Sequence, residues 1–316
     1  MTAAEPEESL SEREAYYDNP AKNYVREEWV RAASARRGKS GRTFINYFTL
    51  PGVGCLDVIK FRDAGVLALE GEVFSPESLT FCESSSRDYA LIRGKLPNAK
   101  DVNLVFEDLV QAGQPVYHPW ISQKHLFPYD VINLDFTRPP FRLRGRGQSR
   151  QIQAITKVFQ LQSAHRRSFT LFLTFPAEED LDDAQGTARL RETIKSNLAD
   201  GPESFRERYE AIFGRAMPPR YDETYLLAIP KLVLRAGFQE GFEVCCTRRF
   251  TYVGRQTRMV SFVFECENRR GTVYQGFDLP VLGNKYSEEL VKLLENQPVD
   301  VNSMLAAGEG TPSPSP

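Results

Sequence analysis

From residue 44 onward, short apolar runs rich in β-branched and aromatic residues alternate with helix-like segments, and this alternation limits the possible folds most strongly. It predicts an α/β domain built from βαβ units. The first five runs are mostly continuous in apolar character, as expected for parallel strands buried on both faces. The last two are separated only by residues 253–257 and should pair as an antiparallel hairpin. The seven runs are residues 44–50, 79–83, 102–106, 130–135, 168–175, 242–252 and 258–265.

The segments outside this alternation divide the chain further. Residues 1–40 are strongly charged and carry apolar side chains such as Val25 and Trp29 at near-helical spacing, which predicts an N-terminal helical extension packed on the main domain. The α/β domain itself is predicted to cover residues 41–270. The other predicted divisions are a helical insertion or cap at 183–236, a C-terminal extension at 271–302 and a disordered tail at 303–316.

Charge and composition exclude several classes of protein. The 40 Lys and Arg residues nearly balance the 42 Asp and Glu residues, so no whole-chain field draws the protein to nucleic acid or to an anionic membrane. No apolar stretch approaches the roughly 20 residues that span a bilayer, and the acidic N-terminus is unlike a secretory signal. We therefore expect a cytoplasmic protein without membrane contact. The five cysteines lack C-x-x-C spacing, and together with three histidines they form no recognisable metal site.

Acidic residues end or follow three successive runs in the middle of the predicted sheet. Glu83 ends one run, and a carboxylate at the carboxyl end of a parallel strand can accept hydrogen bonds from both hydroxyls of a ribose. Asp108 follows the next run and can accept from the amine of an adenine, and Asp135 ends the third. Structural alternatives stay open: Glu83 can favour the following helix through its dipole, and Asp108 can be an N-cap or an exposed turn acid.

The seven runs and the three acids together resemble the class I S-adenosylmethionine-dependent methyltransferase family. That family has a Rossmann-like, seven-stranded and mostly parallel sheet whose last strand is inserted antiparallel, and the resemblance covers roughly residues 42–268. It implies S-adenosylmethionine as the cofactor. It also implies that Glu83 binds the ribose, that Asp108 contacts the adenine, and that Asp135 lies near the methyl group and the substrate.

The turn after the first strand keeps part of the family's pattern. Gly52 and Gly54 form a G-x-G sequence, in which the missing side chains let the backbone approach the cofactor closely. The acid that precedes this pattern in the family, and that helps to orient the methionine end of the cofactor, is either absent here or supplied by Asp57 on the following helix. Members of the family that methylate amino groups have Pro-Pro directly after the fourth-strand residue, whereas three residues separate Asp135 from Pro139 here. Asp135 is therefore either a catalytic acid or a structural, cofactor-side one.

Residues beside the fourth strand suggest how a substrate is bound. Arg142, Arg144 and Arg146 lie in one glycine-containing loop, and guanidinium groups match the oxygens of phosphate groups, so the loop either contacts a nucleic acid or is solvated surface. His118 precedes the fourth strand and is the candidate general base.

Two functions from different classes fit these features. The first is a methyltransferase that acts on nucleic acid or another macromolecule, in which the protein contributes mainly positioning and desolvation. The second is a catalytically inactive methyltransferase-like subunit that binds or scaffolds a protein partner in a bacterial nucleic-acid-processing or defence complex. A dinucleotide oxidoreductase is a weaker third reading, because G-x-G-x-x-G is missing.

Overall fold

A computed structural model describes residues 18–111, 127–140, 149–181, 184–200, 203–214, 221–254, 256–269 and 279–308. Its centre is an eight-stranded sheet. In chain order the strands of this sheet are β1 (Tyr47–Thr49), β4 (Leu79–Cys82), β5 (Lys100–Val102), β6 (Val131–Asp135), β7 (Phe169–Pro176), β8 (Phe242–Val253), β9 (Arg258–Asn268) and β10 (Val299–Asp300). The short strands β2 (Leu69–Glu70) and β3 (Val73–Phe74) form a separate antiparallel pair.

The order across the sheet is β10-β8-β9-β7-β6-β1-β4-β5. Strands β5, β4, β1, β6 and β7 are parallel to one another, and the long hairpin β8–β9 joins β7 through an antiparallel pairing of β9. The predicted α/β, Rossmann-like class is thereby confirmed, including the terminal hairpin and a last predicted strand that is inserted antiparallel. The short strand β10 adds an eighth member at the edge beside β8.

Helices lie before, between and after the strands. They are α1 (Pro20–Ser40), α2 (Leu56–Asp63), α3 (Ser86–Lys95), α4 (Phe106–Gln111), α5 (Arg150–Ala164), α6 (Ala184–Asp200), α7 (Glu203–Phe213), α8 (Tyr221–Gln239), α9 (Leu279–Glu295) and α10 (Val301–Ala306), with a 3₁₀ turn at Glu179–Leu181. Helices α6 to α8 occupy the segment for which the sequence predicts a helical insertion. Among the described residues, no helix is long and apolar enough to cross a membrane.

Buried apolar side chains form two clusters, one on each face of the sheet. The first unites strand residues such as Leu134 and Phe264 with α5 and α8. The second unites Tyr47 and Phe172 with side chains of α1 and α2. A strand covered on both faces has no polar face, which explains the continuous apolar runs in the sequence.

Helix α1 is part of the core and starts at the same edge of the sheet as the carboxyl ends of the parallel strands. Asn19 caps it by accepting a hydrogen bond from the backbone N–H of Lys22 at 2.8 Å, and Pro20 is its first residue. Trp29 is fully buried and stacks on Phe172 of β7, with ring centroids 5.5 Å apart. The helix ends at Gly41, whose left-handed backbone (φ 66°) suits glycine.

Two boundaries differ from the sequence prediction. The third predicted strand was expected at 102–106, but β5 is Lys100–Val102, because Phe106 turns inward at the start of α4 and is buried there. At the C-terminus, α10 continues to Ala306, past residue 302 at which the C-terminal extension was predicted to end. Asp300 caps this helix by accepting from the backbone N–H of Ser303, and Val301 is fully buried.

Candidate active site

A cavity of about 490 Å³ opens at the carboxyl ends of the parallel strands. Strand β1 lies between β4 and β6, so the chain adds β4 and β5 on one side of β1 and then β6 and β7 on the other side. The position at which the strand order reverses is called the topological switch point, and open α/β sheets bind their ligands there. The volume is in the usual range for small-molecule sites. The lining comes from the turns after β1, β4, β5, β6 and β7, from the β8–β9 hairpin and from the start of α1.

Glu83 lines this cavity directly after β4 and is partly exposed. Its Oε1 accepts hydrogen bonds from the backbone N–H of Ser85 at 2.7 Å and from the hydroxyl of Ser84 at 3.4 Å. Burial raises the pKa of Glu83, and the two serines act in the opposite direction. Part of the carboxylate therefore supports the turn before α3, as the structural reading predicts, while the side chain also faces the cavity.

Asp135 ends β6, lines the same cavity and forms an ion pair with Lys22. The Lys22 Nζ donates to Asp135 Oδ2 at 2.7 Å and to the hydroxyl of Tyr252 at 3.0 Å. It also lies 4.9 Å from the centroid of the Trp29 ring, a distance at which a cation interacts with the face of the ring. Three distant parts of the chain thus meet at one ammonium group: α1, β6 and β8.

The Lys22 ammonium is almost completely buried, with 5% of the residue exposed. Burial lowers its pKa, the carboxylate of Asp135 raises it, and the positive charge of Arg26 lowers it further. A buried ion pair contributes little net stability, because desolvation of both charges offsets their attraction. A charged pair of this kind on the wall of a cavity is typical of a functional site.

The turn after β1 places Gly52 against the main cavity, and Gly54 against a narrow recess beside it. Asp57, in the first turn of α2, also lines the recess and is buried. Its Oδ2 accepts from the hydroxyls of Tyr47 and Thr49, each at 2.7 Å, and from the Asn133 amide at 3.3 Å. Burial and the neighbouring Asp57 raise the pKa of Tyr47 well above its usual value, so this tyrosine stays a donor.

Asp108 is in the second position after Phe106 within α4, six residues beyond the end of β5, and is not part of the cavity wall. It is exposed and forms an ion pair with Arg150 at the start of α5. The acid of this segment that lines the cavity is Glu107, together with the apolar Leu104 and Val105. The structure therefore brings Gly52, Glu83 and Asp135 together and leaves Asp108 outside.

Other predicted site residues are only partly accounted for. His118, Arg142, Arg144 and Arg146 lie outside the described residues. Arg138, which precedes that arginine loop, is exposed and lines the cavity. Within the described ranges, no group of three His, Cys, Asp or Glu side chains is arranged to hold a metal ion.

Sequence reasoning did not assign Lys22 and Tyr252 to the site. One feature of the sequence could have pointed to Lys22. Lys22 and Arg26 are four residues apart and interrupt the apolar stripe of α1 that carries Val25 and Trp29. All four residues are buried. Cations on the apolar stripe of a helix indicate a buried polar partner, although the sequence does not reveal which one.

Comparison with known proteins shows one family. The chain belongs to the PP_RS20740-like family, whose model matches residues 16–279. A search of curated proteins finds no match.

A search of solved structures finds matches that include two of low similarity. Trm1 from Pyrococcus horikoshii in complex with S-adenosyl-L-methionine is 11% identical with a TM-score of 0.44; the match covers 79% of this chain but only 56% of the Trm1 chain. A protein described as a Zn-dependent alcohol dehydrogenase from Rhodobacter sphaeroides is 12% identical with a TM-score of 0.35, and the match covers 83% of this chain and 91% of that one. At these TM-scores neither match says anything about the function of this chain.

Proposed function

We propose that this chain is an S-adenosylmethionine-binding, methyltransferase-like protein that acts on a nucleic acid. The observation that carries the proposal is the cavity at the switch point of the sheet, with Gly52, Glu83 and Asp135 in its wall. Gly52 and Glu83 come from the turns after β1 and β4, and Asp135 is the last residue of β6; β1 lies between β4 and β6 in the sheet. By the resemblance to the methyltransferase family, the proposal assigns Gly52 to the glycine turn, Glu83 to the acid that binds the ribose, and Asp135 to the acid at the end of the fourth strand.

The hydrogen bonds that the Glu83 carboxylate accepts support its assignment as the residue that binds the ribose. The hydrogen bonds from the Ser84 hydroxyl and the Ser85 backbone N–H both go to Oε1. A carboxylate that is held in position at one oxygen can accept from a ligand hydroxyl at the other. The apolar Leu104 and Val105, which follow in the cavity wall, offer a surface for the adenine ring. Glu107 rather than Asp108 is then the acid near the adenine.

The nucleic-acid part of the proposal depends on arginines beside β6. Arg138 is exposed at the cavity, and Arg142, Arg144 and Arg146 follow in the sequence. Guanidinium groups next to a cofactor site would hold phosphates while a base or sugar enters the cavity. The methyl group would move from the cofactor sulfonium to the acceptor atom, and the protein's contribution would be to position both and exclude water.

The Lys22–Asp135 ion pair favours a second candidate, a binding subunit without turnover. Asp135 accepts a hydrogen bond from a buried ammonium group and is thereby less available to take a proton from a methyl acceptor. In that case the cavity would bind the cofactor or its product, and the chain would serve a protein partner as a scaffold.

Ligand binding tests the cofactor assignment directly. S-adenosylmethionine should raise the melting temperature of the wild-type protein, because a ligand that binds only the native state stabilises it. Glu83→Ala should abolish the shift, whereas the control Glu77→Gln, an exposed acid two residues before β4 at the opposite edge of the sheet, should keep it. An equal shift in Glu83→Ala, or no shift in the wild type at millimolar ligand, would contradict the assignment.

Transfer of labelled methyl to RNA or DNA then separates the two candidates. Transfer that is lost in Asp135→Ala supports the enzyme. Cofactor binding without transfer to either polymer supports the scaffold.

A further inference from the structure

We propose that Lys22 is an internal counter-ion that makes the β6 side of the cavity a site for an uncharged group and excludes a cation from it. The inference rests on the proposed function, which assigns Asp135 to the acid near the methyl group of the cofactor. It predicts that the chain binds S-adenosylhomocysteine, whose sulfur is uncharged, at least as tightly as S-adenosylmethionine, whose sulfur is a cation. Lys22 is the residue that determines this specificity.

The ammonium group of Lys22 is held in place from several sides. It donates to Asp135 Oδ2 at 2.7 Å and to the Tyr252 hydroxyl at 3.0 Å. It lies 4.9 Å from the ring centroid of Trp29 and 5.6 Å from that of Tyr252, and only 5% of the residue is exposed. The cation therefore stays in the cavity wall when a ligand enters, because a move away from the wall would remove all of these contacts.

The charges close to Lys22 balance one another. Asp135 and Lys22 line the main cavity, and Asp135 also lines the narrow recess beside it, together with Arg26 and Asp57. Two cations and two carboxylates thus lie near each other. A ligand cation that approaches Asp135 is attracted by the carboxylate and repelled by the ammonium group that is only 2.7 Å from it. The two effects nearly cancel, so a positive charge on the ligand gains nothing here.

The other acids of the cavity lining are on the opposite side. Glu83, Asp88 and Glu107 line the cavity near the ends of β4 and β5, whereas Arg138, which follows β6, adds a cation on the side of Lys22. A cationic group of a ligand is therefore drawn to the β4–β5 side. The β6 side is left to uncharged or anionic groups.

A ligand bound at Glu83 can reach the Lys22–Asp135 pair. Strands β4 and β6 are the two neighbours of β1, so their ends are two strand spacings, or about 10 Å, apart. Residues 50–52 of the turn after β1 line the cavity between these ends. A nucleoside whose ribose is bound at Glu83 can therefore place the substituent on its 5′ carbon near Asp135.

The experiment compares S-adenosylmethionine with S-adenosylhomocysteine, which differ by one methyl group and one positive charge at sulfur. By calorimetry on the full chain at pH 7.5, the wild type should bind S-adenosylhomocysteine at least as tightly as S-adenosylmethionine. Lys22→Met leaves the Asp135 carboxylate without its counter-ion. It should therefore raise the affinity for S-adenosylmethionine, relative to that for S-adenosylhomocysteine, about tenfold or more.

The double variant Lys22→Met/Asp135→Asn separates the effect of charge from that of shape. It removes both charges, so the ratio of the two affinities should return to the wild-type value. If Lys22→Met does not fold, Lys22→Gln takes its place, alone and combined with Asp135→Asn, because glutamine keeps a donor without a charge. Its expected shift has the same direction.

Arg36→Met is the matched control. Arg36 is also a buried cation of α1, but it pairs with Glu267 rather than with an acid of the cavity. Its replacement should leave the ratio of the two affinities unchanged.

Three results would overturn the role of Lys22 while leaving the cofactor site intact. They are a wild type that binds S-adenosylmethionine tenfold more tightly than S-adenosylhomocysteine, an unchanged ratio in the Lys22 variant, and a shifted ratio that persists in the double variant. Binding of neither ligand to the wild type would overturn the proposed function and this inference with it.

Discussion

Lys22 and Asp135 are 113 residues apart in the sequence, and the ammonium group of the first donates to the carboxylate of the second across 2.7 Å. This contact joins the N-terminal helix to the end of β6, in the wall of the cavity. The same ammonium group reaches Tyr252 on the β8–β9 hairpin. The N-terminal extension is therefore a part of the cavity wall.

Breaking the Lys22–Asp135 ion pair should lower the free energy of unfolding, because one charge is left without its partner. Lys22→Met leaves the Asp135 carboxylate near an apolar side chain, and we expect the free energy of unfolding to fall by about 1–3 kcal/mol. The double variant Lys22→Met/Asp135→Asn should recover part of that loss, because no charge is then left unpaired. Urea unfolding of the wild type, of the single variants Lys22→Met and Asp135→Asn, and of the double variant gives the coupling energy, and strictly additive losses would contradict a direct interaction.

Glu83→Gln should stabilise the protein without ligand at neutral pH. Burial raises the pKa of Glu83, so the native state binds its proton more tightly than the unfolded state does, and the ionised carboxylate at neutral pH lowers the free energy of unfolding. Glutamine keeps an oxygen that accepts from the N–H of Ser85. Urea unfolding at pH 7.5 should show the variant to be more stable, and the difference should shrink as the pH falls toward the ordinary pKa of glutamate. A variant that is less stable at pH 7.5 would contradict this account.

Asp130→Ala should destabilise the fold without changing the site. The Asp130 carboxylate is buried just before β6 and accepts from the backbone N–H of Asn46 at 2.9 Å, from Arg167 at 2.9 Å and from Arg42 at 3.1 Å. Both arginines are partly exposed, so most of the expected loss of about 2 kcal/mol comes from the half-buried backbone N–H of Asn46, which is left without its acceptor. Thermal unfolding measures the loss. Ligand affinity should be unchanged at a temperature where the variant is folded, because Asp130 lies at the opposite end of β6 from the cavity.

Two C-terminal deletions should differ in their effect on stability. Removal of residues 309–316, which are rich in Gly, Ser and Pro, should leave the melting temperature unchanged. Removal of residues 303–316 should lower it, because Met304 and Leu305 of α10 pack against the core cluster on the α1 face of the sheet. Equal melting temperatures of the two truncated proteins would show that the end of α10 contributes nothing to stability.

The sequence by itself determined the order and type of most elements. The runs at 79–83, 130–135, 168–175, 242–252 and 258–265 coincide with β4, β6, β7, β8 and β9 to within a few residues, because strands buried on both faces must be apolar along their length. The position of Glu83 and Asp135 at strand ends followed from the same pattern. The prediction of a strand at 102–106 was wrong in its bounds, because Phe106 is a buried residue of α4 and β5 ends at Val102.

The tertiary structure alone decided which side chains meet at those strand ends. In the sequence Asp108 follows an apolar run, much as Glu83 and Asp135 stand at the ends of theirs. In the structure Asp108 lies in the first turn of α4, where it is exposed and forms an ion pair with Arg150. Lys22, Arg26 and Tyr252 enter the site because α1 packs on the sheet and the β8–β9 hairpin returns to the same edge. Periodicity along a chain reports which face of an element is apolar, whereas contacts between residues over 100 positions apart depend on how those faces pack.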